Sequence, residues 1–192
     1  MMRVAIVGGG AAGVLAAVHL RRAVPDAQIT LIDASGRPGI GAAYGTDDPT
    51  FLLNVPAPRM SAWPDDPDHF TRWLDERAVT PAESFAPRLA YGRYLQDQLA
   101  TADVRMETAE GVELTPGTAV RLSLNDGRHL SADAVVLASG RPQSGMPDSL
   151  ERAFAPVLAE GADGRVVLDP WAPGALAALG ARRPASVLVT WA

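Results

Sequence analysis

One short run constrains this chain more than any other. Val4, Ala5, Ile6 and Val7 are apolar in succession, and Gly8-Gly9-Gly10-Ala11-Ala12-Gly13 follows at once. A continuous apolar run reads as a strand covered on both faces, as in a parallel sheet. Beyond the glycines, Val14, Leu15, Val18 and Leu20 recur at helical spacing. Arg21 and Arg22 fall in the last turn, where cations suit the helix dipole, and Pro25-Asp26 ends the pattern. Gln28 to Ile32 reads as a second strand and closes on Asp33. Strand, glycine turn, helix and strand make one βαβ unit.

The turn fits G-x-G-x-x-G, and each glycine has a physical task. Gly8 permits the tight exit from the strand. Gly10 leaves the backbone open to a pyrophosphate. Gly13 lets the helix approach the sheet. The helix N-terminus, from Ala11 and Ala12, offers free N–H groups and the positive end of its dipole to that charge. Glycine-rich turns are common, so the motif alone is a weak signal. It gains weight from the strand before it, the helix after it, and an acid 20 residues beyond Gly13. Asp33, followed by Ala34, stands where a carboxylate accepts hydrogen bonds from ribose hydroxyls, and an acid there disfavours a 2′-phosphate. The site therefore reads as one for FAD or NAD rather than NADP, and the motif does not choose between the two.

From Ala34 to about Asp66 the chain is rich in Gly, Pro, Ala and Asp, with little periodicity. A stretch of this kind inside a compact domain is functional or disordered. Helices are predicted near Pro67–Arg77, with Asp66 able to cap, and near Leu89–Leu99. Val120, Leu122 and Leu124 then alternate with polar residues, Asn125-Asp126-Gly127 turns, and Arg128–Ala132 returns as a hairpin. Ala134–Ala138 is a further apolar run that rejoins the sheet, and Val187–Val189 begins another strand. The fold expected is α/β and Rossmann-like: a parallel sheet with flanking helices and a small antiparallel insertion. The expected domains are 1–145, and 146–192 as linker and start of a second domain.

Composition excludes several classes. Of the 192 residues 47% are hydrophobic and 20% charged, within the globular range. A net charge of −5 with interspersed signs argues against a nucleic-acid surface. No apolar run reaches the roughly 20 residues of a membrane helix. No cysteine is present, which removes disulfide and dithiol chemistry. A cytoplasmic location is the expectation, and oligomeric state is not legible. His19, His69 and His129 show no ligand spacing, and packing or solvation is the better reading of each. Asp65, Asp66 and Asp68 read as turn and cap residues before a metal cluster. Ser139 and Ser144 have no His-acid partners, so a hydrolase is disfavoured. Trp63 and Trp73 read as core anchors.

Further strings carry a resemblance. Gly39-Ile40-Gly41-Ala42-Ala43-Tyr44-Gly45-Thr46 is followed by Leu52-Leu53-Asn54-Val55-Pro56-Ala57, Met60-Ser61, Trp63-Pro64-Asp65-Asp66-Pro67 and Phe70-Thr71-Arg72-Trp73-Leu74. From Arg3 to about Trp171 the chain resembles the bacterial FAD-NAD(P)-binding protein family, to which asparagine N-monooxygenase-like and urate-hydroxylase-like flavoproteins are similar. The resemblance implies FAD as the cofactor of the first site. It implies that the loop from Gly39 to Met60, with Gly41, Tyr44 and Asn54, lies along the flavin. Tyr44 and Asn54 read equally as flavin contacts or as loop packing. It further implies that Ala132–Gly140 is the strand and turn beside the cofactor, with Ser139 in place of the usual Thr, and that Val112 holds the adenine by its backbone. Relatives continue from a strand like Val187–Val189 into a second glycine motif for NADPH. Here the sequence reads Thr190-Trp191-Ala192, so NAD(P)H is expected only for a full-length form.

Three functions follow. The first is the N-terminal FAD-binding part of a monooxygenase-type oxidoreductase acting on a small-molecule substrate. The second is a dehydrogenase domain with NAD in the first site, disfavoured by the long loop after Asp33. The third is a dinucleotide-binding module without turnover. No general base is legible.

Overall fold

The structure is a computed structural model that describes residues 1–79, 84–140 and four single positions further on. The chain divides into two compact units, Met1–Gly140 and Arg141–Ala192. The domain boundary expected after 145 and the strand expected at Val187–Val189 lie outside the described residues.

The first unit opens with β1 (Arg3–Val7), α1 (Ala11–Ala23) and β2 (Gln28–Asp33), as the apolar runs and glycines require. A one-turn helix α2 (Gly41–Tyr44) and a 3₁₀ turn (Ala57–Arg59) interrupt the long connection. Then come α3 (His69–Glu76) and α4 (Arg88–Ala100). The strands β3 (Arg105–Thr108), β4 (Val112–Thr115), β5 (Val120–Leu124), β6 (His129–Ala132) and β7 (Ala134–Leu137) follow.

Four strands form a parallel sheet in the order β3-β2-β1-β7, and β4-β5-β6 form a separate antiparallel sheet. In β1, Val4 pairs with Ile29 on one side and Ala134 on the other. Alternation along the strands then builds two cores. Val4, Ile6, Ile29 and Leu31 face Val14, Ala17 and Val18 of α1 and, beyond them, Tyr94, Leu95 and Leu99 of α4. Ala5 and Ile32 point the other way, against Leu122, Leu124 and Ala132 of the small sheet. Both faces of β1 are thus covered, which is why Val4–Val7 reads as an unbroken apolar run.

Two details differ from the sequence reading. The helix expected from Pro67 begins at His69 with Asp68 at its N-cap position and no side-chain cap. Asp66 does not cap because its carboxylate is taken by the Arg72 guanidinium (Nη1 to Oδ1, 3.0 Å). The strands β3 and β4 had no apolar signature. The only buried residue of β3 is Glu107, held by ion pairs to Arg105 and Arg128.

Candidate nucleotide-binding site

The glycine turn is shaped by three close approaches. Gly8 has φ +107°, and its N–H bonds the Ile32 carbonyl at 2.8 Å. A Cβ at Gly8 would lie 2.2 Å from the Ala138 carbonyl oxygen, at the end of β7. A Cβ at Gly13 would lie 1.8 Å from the Gly8 carbonyl oxygen, so only glycine lets α1 enter this close to the turn. Gly10 differs in kind. It stands at the N-cap of α1 with φ −68°, and a Cβ there would meet nothing within 4 Å. Its open face, beside a helix start with no side-chain cap and no acid in the first turn, is the place where an anion can approach the backbone.

Asp33 closes one end of this cradle. Its Oδ2 accepts the Gly9 N–H at 3.2 Å. Its Oδ1 accepts the Ser35 N–H at 3.1 Å, the Ser35 hydroxyl at 2.6 Å and the Arg37 N–H at 3.2 Å. A carboxylate has about four acceptor positions, two on each oxygen. The remaining capacity sits on Oδ2, the oxygen facing the glycine turn. Ala34 is exposed beside it.

The segment after Asp33 folds back onto the turn. The Gly39 N–H donates to the Gly9 carbonyl at 2.7 Å. A Cβ on Gly39 would lie 2.9 Å from Gln96 Cγ of α4, and one on Gly41 would lie 3.2 Å from Gly10 Cα. Gly39–Gly41 is therefore wedged between α4 and the cradle, and α2 continues from it. Beyond β7, the Ala138 N–H bonds the Val7 carbonyl at 2.7 Å, which holds Ser139 beside the end of β1.

The structure thus gathers Gly8, Gly10, Ala11, Ala12, Gly13, Asp33, Ala34, Gly41 and the Ala138–Ser139 turn around one spot. Gly140 follows with φ +72°. Tyr44 is half-buried and packs edge-to-face on Tyr91, with ring centroids 4.9 Å apart. Burial raises the Tyr44 phenol above its ordinary pKa, and the nearby Arg88 charge opposes this. Asn54 is exposed, and Val112 opens β4 opposite Leu124. Among the described residues no hydrogen bond joins Asn54, Val112 or Gly140 to the glycine turn. Two glycines were missed by the sequence reading. Gly9 occupies a free position in the motif, yet a Cβ there would lie 2.5 Å from Asp33 Oδ2. The signal for Gly39 was its place in a Pro-Gly-Ile-Gly string.

The candidate metal residues are engaged elsewhere. His19 Nε2 lies 2.8 Å from the Ala62 carbonyl, His69 Nδ1 2.9 Å from the Tyr94 hydroxyl, and His129 Nδ1 3.1 Å from Ser123 Oγ. Asp65 pairs with Arg22, and Asp66 with Arg72. No helix among the described residues is long and apolar enough to cross a membrane.

The model of the FAD-NAD(P)-binding family matches residues 5–142, which takes in the whole cradle. The chain belongs to the FAD-NAD(P)-binding family. No curated protein matches it in sequence. Among solved structures, a lysine monooxygenase, NbtG from Nocardia farcinica, is similar with TM-score 0.55 and 16% identity over 77% of this chain and 44% of that one. A flavin monooxygenase from Stenotrophomonas maltophilia gives TM-score 0.52 and 21% identity over 77% of this chain and 43% of that one. The bacillithiol disulfide reductase Bdr from Staphylococcus aureus gives TM-score 0.54 and 14% identity over 73% and 39%. At these identities the likeness shows the fold. The family member described here spans less than half the length of each of these chains.

Proposed function

We propose that this family member is the FAD-holding part of a flavin-dependent oxidoreductase of monooxygenase type, which in its full-length form draws reducing equivalents from NAD(P)H and acts on a small-molecule substrate. One observation carries the reading: the open face of Gly10 at the uncapped start of α1, between Asp33 on one side and Gly41 on the other. A pyrophosphate fits there because the backbone N–H groups and helix dipole favour negative charge. The free acceptor position of Asp33 Oδ2 takes a ribose hydroxyl, which sets the adenosine at that end. The remainder of the cofactor then runs towards Gly41, α2 and the Phe51–Asn54 segment.

Two features favour FAD over NAD as occupant. The chain after Asp33 does not return to the sheet promptly but seats Gly39–Gly41 against the glycine turn. The second face of the parallel sheet is covered by a three-stranded antiparallel sheet rather than by a helix of a repeated βα unit. Bound FAD supplies the redox chemistry, and the protein positions it and limits water. In this unit the backbone at Gly10 and the carboxylate of Asp33 hold the ADP portion, and α2 walls the cofactor. The family resemblance carried by the Ala-Tyr-Gly-Thr and Leu-Asn-Val-Pro-Ala strings supports the monooxygenase-type reading.

The test is to purify the chain, release any bound small molecule by heat, and identify it by visible absorbance and mass spectrometry. FAD in the supernatant supports the reading. NAD in its place, from both this chain and a longer form of the protein, overturns it.

A further inference from the structure

Arg88 is the first residue of α4, and it ties together two segments of the connection between β2 and α3. Its backbone N–H donates to the Phe51 carbonyl at 2.8 Å. Its Nε donates to the Leu52 carbonyl at 3.0 Å, and its Nη1 to the Ala43 carbonyl at 3.3 Å. The Leu52 segment is further zipped to the approach to α4 by a bridge between Leu52 and Pro87 and by the Leu53 N–H on the Ala86 carbonyl at 2.9 Å. The Ala43 segment is α2, which begins at Gly41 against Gly10. Four-residue helices leave their last carbonyls without intrahelical partners, and Ala43 presents one of these. Arg88 answers it with a cation at the helix C-terminus.

We infer that Arg88 is a positioning residue for the flavin end of the cofactor, fixing the separation between the α2 segment and the Phe51–Asn54 segment without touching the ADP cradle. The inference rests on the reading of the site as an FAD site. The guanidinium donates to the Leu52 and Ala43 carbonyls, both in the connection between β2 and α3. The glycine turn and Asp33 are held by other bonds: Gly8 to Ile32, Gly9 to Asp33, and Gly39 to Gly9. A change at Arg88 therefore loosens one end of the site and spares the other. Arginine suits the task because its planar fork directs several donors at once, so two carbonyls are bridged by one side chain. Lysine has one compact ammonium on a flexible stem and reaches one of the two carbonyls at a time.

The experiment titrates the full 192-residue chain, Arg88→Ala and Arg88→Lys with FAD and, separately, with ADP, following heat release for each. The thermal midpoint of each apo protein is recorded in parallel. For Arg88→Ala, loss of two charge-assisted hydrogen bonds should weaken FAD about tenfold or more, with ADP affinity held within about twofold. The visible band of the bound flavin should lose vibrational fine structure, and Arg88→Lys should recover part of both effects. Equal weakening of FAD and ADP, or no change in either, overturns the inference and makes Arg88 a general structural residue or a bystander. Should Arg88→Ala not fold, Arg88→Lys carries the same comparison, because it retains the charge and the stem. A parent chain that binds ADP but not FAD also overturns the inference. A parent that binds neither overturns the reading of the site beneath it.

Discussion

Replacing Gly10 by alanine separates a fold role from a binding role, because the four motif glycines sit in such different surroundings. At Gly10 a Cβ meets nothing within 4 Å, and φ is −68°, a value any residue adopts. Gly→Ala at a compatible position stabilises by about 0.4–1 kcal/mol through the unfolded chain. Alanine is a poorer N-cap than glycine, which costs about as much in the opposite direction. The apo protein should therefore change by less than about 1 kcal/mol, or a thermal midpoint shift within about 5 °C for a domain of this size. Binding should suffer, because the added methyl occupies the face proposed for the pyrophosphate. Loss of a hydrogen bond to a charged group costs about 1.5–3 kcal/mol, which corresponds to roughly 10- to 150-fold in affinity. Gly13→Ala is the contrast. Its Cβ would fall 1.8 Å from the Gly8 carbonyl oxygen, so α1 must move and the fold itself weakens. Overpacking costs about 1–3 kcal/mol or more. Calorimetric titration with FAD, beside thermal unfolding of the apo proteins, reads both quantities. If Gly10→Ala binds FAD as tightly as the parent, or destabilises the apo protein as much as Gly13→Ala, the assignment of Gly10 is wrong.

Three further outcomes are expected. Asp33→Ala should weaken ADP and FAD alike by about tenfold, since it removes a charged acceptor at the adenosine end; an ADP affinity equal to the parent's would place the adenosine elsewhere. Tyr94→Phe should cost about 1–3 kcal/mol in denaturant unfolding, because the buried Ala62 N–H (3.0 Å from the hydroxyl) loses its acceptor and His69 its partner; an unchanged midpoint would show that network to be idle. Asp133 is held at about 2 by hydrogen bonds from the Arg3 guanidinium and backbone N–H, below the roughly 3.9 of an unfolded aspartate. A depressed folded value means that its contribution is complete above about pH 4 and is lost as the pH falls through 2. The thermal midpoint of the parent should therefore fall more steeply over that window than that of Asp133→Asn, and parallel curves would contradict the pairing.

The parts of the fold legible in the sequence were those whose burial is apolar and periodic. Val4–Val7, the α1 stripe and Gln28–Ile32 announced the βαβ unit because both sheet faces are covered. The alternation of Val120, Leu122 and Leu124 announced the hairpin because one face of that sheet is buried. Strand β3 was not legible, since it buries a carboxylate, Glu107, whose neutralising arginines come from Arg105 on the same strand and Arg128 in the hairpin. Spacing along one chain carries no sign of such a pairing. The turn was legible at Gly8 and Gly13, where backbone sterics dictate glycine, and Gly10 and Asp33 were read from their spacing in the dinucleotide pattern. Gly9 and Gly39 were not, because their constraint comes from tertiary neighbours: the Asp33 carboxylate for one, and Gln96 and Gly92 of α4 for the other. The bridging role of Arg88 was hidden for the same reason, as the two carbonyls it joins belong to a connection without periodicity.

The most direct test of the account compares ligands that share different halves of the cofactor. The refolded apo chain is titrated with FAD, with FMN, with NAD and with ADP under one buffer, and flavin fluorescence and heat are followed. FMN carries the isoalloxazine and one phosphate without the AMP portion, and NAD carries the ADP portion without the flavin. FAD should bind tightest, with FMN far weaker for want of the pyrophosphate and adenosine that the proposal places at Gly10 and Asp33. NAD should bind no better than ADP. FMN binding as tightly as FAD, or NAD binding more tightly than FAD, would contradict the central claim that this glycine cradle holds the ADP end of FAD.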